Sequence, residues 1–230
     1  TQANGETIIG EGTIIVTGTA SNTNLSTLAP ALLDISGATL DGTPVLPSSV
    51  AAGDTLTLTS TQANSAIIAN SGTVRIELSS DAKVTASSDL DAITGTIAFV
   101  ESDAPTVAVT TLSVDTGQTL TISAAQADGK TISGEGTVVV TGTASDTDLS
   151  AISANLNISG ATLDGNPQLP SSVATGKTLT LSATQAHGET IIGEGTIIVT
   201  GTGSSTDLST LAPALLDISG ATLNDTPVLP

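Results

Sequence analysis

Residues 184–230 read TQAHGETIIGEGTIIVTGTGSSTDLSTLAPALLDISGATLNDTPVLP, and residues 1–47 read TQANGETIIGEGTIIVTGTASNTNLSTLAPALLDISGATLDGTPVLP, so that only six of 47 aligned positions differ. Self-similarity of this kind decides the reading before any local motif does, because each repeat is one structural unit that buries its apolar face against its neighbours. A third copy starts at Ala125 with AQADGKTISGEGTVVVTGTASDTDLS and runs on through LNISGATLDGNPQLPSSVATGKTLTLS. Between the first and third lies a divergent copy that opens TQANSAIIANSGTVRIELSS and closes on TGQTLTISA. The repeats therefore occupy residues 1–60, 61–124, 125–183 and 184–230, the last stopping before the SSVA-G-TLTLS stretch that completes the first and third. They are expected to form one continuous elongated array. No atypical capping sequence stands at either end, although solenoids need polar caps to stay soluble, so either an excerpt of a longer array or ends covered by neighbouring copies is expected.

Within the first copy the strand-like runs are Thr7 to Ile9, Thr13 to Thr19, Ala31 to Ser36, Ala38 to Leu40 and Thr55 to Thr59. Glycines such as Gly10, Gly12, Gly18 and Gly42 fall between them, where a coil has to turn a corner. Thr55-Leu-Thr-Leu-Thr59 alternates, which places Leu56 and Leu58 inward and the threonines outward. The abundance of Thr, Gly and Ser favours strands and turns over helix. A unit of about 60 residues divides into about three coils of roughly 20, each adding about 4.8 Å of height at the usual strand spacing. The prediction is an all-β, right-handed parallel β-solenoid in the form of a rod. The alternative is a string of small β-sandwich modules, but such a module normally needs about seven strands over about 100 residues.

Composition supports stacking. Cys, Met, Trp and Tyr are absent and Phe99 is the only aromatic, so the core must be built from Ile, Leu, Val and Ala. Identical layers of small β-branched side chains accumulate contacts without the large area that an aromatic contributes. The formal charge is −18, from 22 acidic and four basic residues, which argues against nucleic acid and anionic lipid as partners. No apolar run is long enough to insert in a membrane, and no signal peptide lies within these residues.

The stretches TLTLSATQAHGETIIGEGTIIVTGT and LLDISGATLDG resemble the Thr/Gly/Asp-rich tandem repeats of very large bacterial surface proteins, the filamentous adhesins and extracellular matrix fibres. The resemblance spans the chain and is one of style and composition. It implies an exported stalk or fibre, located outside the cell or on its surface, whose partners are copies of itself or neighbouring repeats end to end. A glycan or other surface ligand is a further partner that it implies. The calcium-binding nonapeptide of β-roll repeats is missing, so no metal role is carried over.

Candidate chemistry is sparse, and no catalytic, cofactor or metal residue is assigned; the chain reads as no enzyme. His187 is the sole histidine and takes the place of Asn4, Asn64 and Asp128 in the other copies, which makes it a polar loop residue. Glu11, Glu135 and Glu194 recur in a GEG turn; paired carboxylates can serve a glycosidase, but a residue that recurs in each well-kept unit serves the unit itself. Asp146, Asp148 and Asp207 could offer oxygen ligands to Ca²⁺. The first copy has Asn22 and Asn24 there, which retain turn-forming ability without charge, so an Asx turn accounts for all three better. The Thr-x-Thr rows at Thr55, Thr57 and Thr59 and at Thr17 and Thr19 point to the runner-up function, a flat threonine face for ice or a glycan. Asn24-Leu-Ser26, Asn157-Ile-Ser159 and Asn224-Asp-Thr226 match the glycosylation acceptor pattern.

Overall fold

The structure, a computed structural model, describes residues 2–230 and divides into two compact units, Thr1–Val109 and Thr110–Pro230. The division falls within the divergent copy. Each unit is a parallel β-solenoid built from coils of three short faces.

In the second unit the main face stacks Thr119–Ser123, Thr137–Ser145, Asn155–Asn157, Thr178–Ser182, Ile191–Ser204 and Leu211–Asn224, each in parallel with the next. Successive partners such as Leu120 and Val138, Val138 and Leu156, Leu156 and Leu179 lie in register one coil apart. Period-2 alternation turns these four residues, with Ile197, into one buried column, and Ile122, Val140, Leu181 and Val199 into another. Each fully buried Leu, Ile or Val contributes roughly 1.5–3 kcal/mol relative to exposure, so the columns replace the missing aromatic core. Corner residues Ile132, Ile152, Leu149 and Leu208 close the interior. The parallel ladders leave no place for a string of sandwich modules, which requires antiparallel sheets.

In the first unit Ile8–Ile15, Leu28–Asp34, Thr55–Thr59, Thr73–Leu78 and Thr96–Glu101 stack in the same way. The strand Ala104–Val109 then folds back antiparallel on Thr96–Glu101, a hairpin confined to the divergent copy. Phe99 is 1% exposed in that layer.

Several local expectations are corrected. The GEG segment is not a simple turn between two strands in the first and last copies. The strand runs through it, and the register shifts between Gly10 and Thr13 and between Gly193 and Thr196, which marks a β-bulge. Gly193 has φ +125, and a Cβ there would lie 2.3 Å from the carbonyl oxygen of Val173, so both the conformation and the close approach of the neighbouring coil require glycine. Thr57 is 5% exposed instead of solvent-facing, because the register sets it between the longer side chains of Asp34 and Arg75. The composition that disfavours helix also fails at three one-turn helices, Ser60–Ala63, Ala124–Ala127 and Ala183–Ala186. Each is nucleated by a capping box, in which Thr59, Ser123 or Ser182 accepts from the backbone of Gln62, Gln126 or Gln185 and the Gln side chain accepts in return.

Candidate functional site

Carboxylate and amide side chains are concentrated at the corners, where an Asx residue accepts from the serine two positions on. Asn24 Oδ1 accepts the N–H and hydroxyl of Ser26 at 3.0 and 2.7 Å, and Asp148 and Asp207 do the same with Ser150 and Ser209. Asp146 Oδ1 accepts the N–H of Asn166 at 2.9 Å, as Asn22 Oδ1 accepts that of Thr43 at 3.0 Å. Of the residues weighed for calcium, Asp148 and Asp207 are thus engaged in turns and Asp146 in a bond to the next coil, and no group of three or more His, Cys, Asp or Glu that could hold a metal occurs among the described residues. The serine hydroxyl first, and its N–H second, hold the carboxyls of Asp148 and Asp207 below their ordinary value.

The same turn explains two of the glycosylation patterns. Asn157 Oδ1 accepts from Ser159, in the place where Asp34 accepts from Ser36 and Asp217 from Ser219. The Asn-x-Ser spelling at Asn24 and Asn157 is therefore the amide form of an Asp-x-Ser turn. Asn224 is exposed on the last strand.

His187 Nδ1 accepts the backbone N–H of Asp207 at 2.9 Å. Asn4, Asn64 and Asp128 accept the N–H of Asn24, Asp89 and Asp148 in the same way, each at 2.8 Å. The position demands an acceptor reaching the next coil, and imidazole supplies one nitrogen for it. Glu135 pairs with Lys177 at 2.7 Å, while Lys177 Nζ also donates to the carbonyl of Gly134 at 2.9 Å. Glu135 and Glu194 stand just before Thr137 and Thr196, which lie three coils apart in the second unit, about 14 Å at the usual strand spacing and beyond the reach of a glycosidase pair. The threonine columns are interrupted as well. Thr121, Val139, Asn157, Thr180, Ile198 and Asp217 follow one another in register on the main face of the second unit, and Leu32 breaks the column of Thr13, Thr55 and Thr73 in the first.

A concave feature that no sequence motif announced recurs once in each unit. Strand Ala38–Asp41 pairs with Gly18–Ser21 on one side only. On the other side the following coil makes the helix Ser60–Ala63 instead of a strand. Gln62 reaches back from that helix, and its Nε2 donates to the carbonyls of Ile35 and Ala38, both at 2.8 Å. Beyond this clamp opens a groove of about 830 Å³ whose lining includes Leu40, Asp41, Val45 and Ile67. The second unit repeats the arrangement: Ala161–Asp164 pairs only with Thr137–Ser145, Gln185 clamps Ile158 and Ala161 at 2.8 and 3.0 Å, and a groove of about 440 Å³ carries Leu163, Asp164, His187 and Glu189. Burial raises the Glu189 carboxyl above its ordinary value. The readable signal was [ST]-x-x-Q before Ala, the capping box that starts each helix.

Compared with known proteins, the chain matches no family model, no curated protein and no solved structure.

Proposed function

We propose that this chain is a structural repeat segment of an extracellular fibre, stalk or surface adhesin of bacterial type, a stiff acidic rod that continues or assembles end to end and carries no catalysis. The observation that supports the reading is the coil-on-coil register: near-identical sequences form the same parallel ladders, Ile8 with Leu28 and Thr13 with Leu32 in one unit, Ile191 with Leu211 and Thr196 with Leu215 in the other. Backbone hydrogen bonds and stacking carry stiffness, and the formal charge of −18 keeps neighbouring fibres hydrated and apart. The recurrent Asx side chains, with His187 and Glu135, are spent on turns and coil-to-coil bonds, which suits a repeat whose task is its own shape. Partners are then other repeats and, at the exposed backbone of a terminal coil, strands added from another subunit.

Electron microscopy of the native material, with and without chelator, tests this. Thin unbranched fibres with an axial repeat of about 15 Å per three coils, unchanged by chelation, are expected from the strand spacing. Compact particles or beads on a string overturn the reading and turn attention to a threonine-face binder.

A further inference from the structure

We infer that the groove of the first unit is a docking site for an extended polypeptide segment of another protein, one with small aliphatic side chains flanked by Lys or Arg, which adds as a strand to the open edge of Ala38–Asp41. The inference rests on the groove and stands apart from the reading of the chain as a fibre.

Three observations carry it. The first is backbone. Asp41 gives its carbonyl to the N–H of Asn22 on the paired side, so Thr39 and Asp41 are committed to Gly18–Ser21. Strand alternation then turns Ala38 and Leu40 toward the groove. Gln62 satisfies the carbonyl of Ala38 and leaves the N–H and C=O of Leu40 facing the open side. An edge of this kind is a template for strand addition, and a segment laid along it would form both bonds.

The second is surface. Ile67 is 78% exposed and Val45 50% exposed, and both line this one groove. In the second unit the corresponding positions are the polar Thr190 and Gln168, and neither lines the smaller groove there. A volume of about 830 Å³ lies within the range of ligand sites. No aromatic side chain lines it, which removes the stacking platform a sugar ring would use and favours aliphatic contacts of a peptide.

The third is charge. Asp41 is the sole ionisable side chain of the lining, and the whole chain has 22 acidic residues against four basic ones. A basic segment is complementary to this surface, whereas a second copy of the chain brings its own −18 charge.

The test is a titration of the isotope-labelled full chain with a short blocked peptide of alternating valine and threonine bearing lysine at each end, followed by backbone amide NMR. Saturable shifts at Leu40, Thr39 and Ile67 are expected, with weaker ones at Leu163. Leu40→Pro deletes the groove-facing N–H while leaving the bonds of Thr39 and Asp41 in place, a change that edge strands tolerate. It should weaken binding about tenfold, the worth of a hydrogen bond or two. Leu40→Val should bind as the parent does. Ile67→Lys, at a site open to solvent, should weaken the same peptide, and a peptide with glutamate in place of lysine should fail to bind. Parent-like affinity in folded Leu40→Pro, or shifts scattered over the acidic surface without Leu40, overturns the proposal. Should Leu40→Pro not fold, parent-like affinity in Ile67→Lys overturns it instead. Self-association abolished by Ile67→Lys would assign the groove to a second copy and overturn the occupant proposed.

Discussion

Replacing Gln185 by Ala removes two donated bonds at once and leaves the carbonyls of Ile158 and Ala161 to find water inside a half-buried corner. An orphaned acceptor costs about 1–3 kcal/mol, so urea unfolding should shift to lower stability by that amount, and Gln185→Glu, which keeps the oxygen that accepts the N–H of Ser182 but not the donor, should recover that one bond and none of the loss at Ile158 and Ala161. The Asx turns make a pH prediction of definite sign. Asp148, Asp207 and Asp217 are held below the ordinary carboxylate value by the hydroxyl and then the N–H of Ser150, Ser209 and Ser219. A depressed carboxyl stabilises the fold above its unfolded value, about pH 4, and loses that contribution as pH falls through the folded value. Glu189 has the opposite sign: burial raises it, so the fold bears a penalty at neutral pH that vanishes as pH drops below the ordinary glutamate value. Acid also relieves the repulsion among many carboxylates, so the clean measurement is a difference. Asp207→Asn keeps the acceptor, as Asn24 does toward Ser26, and its acid loss between about pH 5 and 2 should be smaller than the parent's in matched denaturation curves.

One-turn helices are marginal elements, and these three persist because a capping box starts them and their alanines pack inside. Ser182→Ala should cost about 1 kcal/mol, because it removes the hydroxyl that accepts the backbone N–H of Gln185, while the N–H of residue 182 still donates to the Gln185 side chain. Leu181→Ala, one residue earlier and 0% exposed in the column above Val199, should cost about 2–5 kcal/mol because the neighbouring coils are held by their own ladders and cannot collapse into the void. Thermal unfolding of the two variants ranks these effects, and a larger loss for Ser182→Ala would show that the helix, not the column, organises the coil. The contrast explains what was legible beforehand. Thr55–Thr59 and its inward leucines followed from alternation, and the three-coil unit followed from the repeat, since both are period signals. The helices are spelled locally, in the [ST]-x-x-Q capping box that the overall composition masked, whereas the bulge at Gly193 was hidden because it answers to the close approach of Val173 in the neighbouring coil. The groove was hidden for the same reason. It arises where one coil substitutes a helix for the strand that its predecessor expects, a relation between coils twenty-odd residues apart that local propensity does not encode. The Asx turns, in contrast, were readable, because Asn24 for Asp148 keeps geometry and discards charge.

For the whole molecule the three coils of a repeat are not interchangeable. A helix coil precedes a GEG coil, which precedes an ISG coil, and specific side chains tie each to the next. Asn155 donates to the carbonyls of Glu135 and Gly136 in the coil before and accepts the N–H of Thr178 in the coil after, while Lys177 reaches Glu135 and Gly134 across the coil between. Repeat proteins sum unit stabilities and nearest-neighbour interfaces, so removing a whole period should restore every interface type, whereas removing one coil should not. Deleting residues 125–183 joins Ser123-Ala124 to Thr184-Gln185 and rebuilds the Ser-Ala-Thr-Gln capping box that Ser182 to Gln185 form in the parent. Deleting residues 131–150 removes the GEG coil alone, strands Asn155 and Lys177 without their carbonyl partners, and sets an ISG coil directly on a helix coil. Circular dichroism and urea unfolding separate the two: the period deletion should keep the β signal per residue and a cooperative transition, and the coil deletion, although shorter, should unfold at lower urea. Equal stability in both would mean that the register is set by generic strand stacking, with the side-chain ties between named coils contributing nothing to their order.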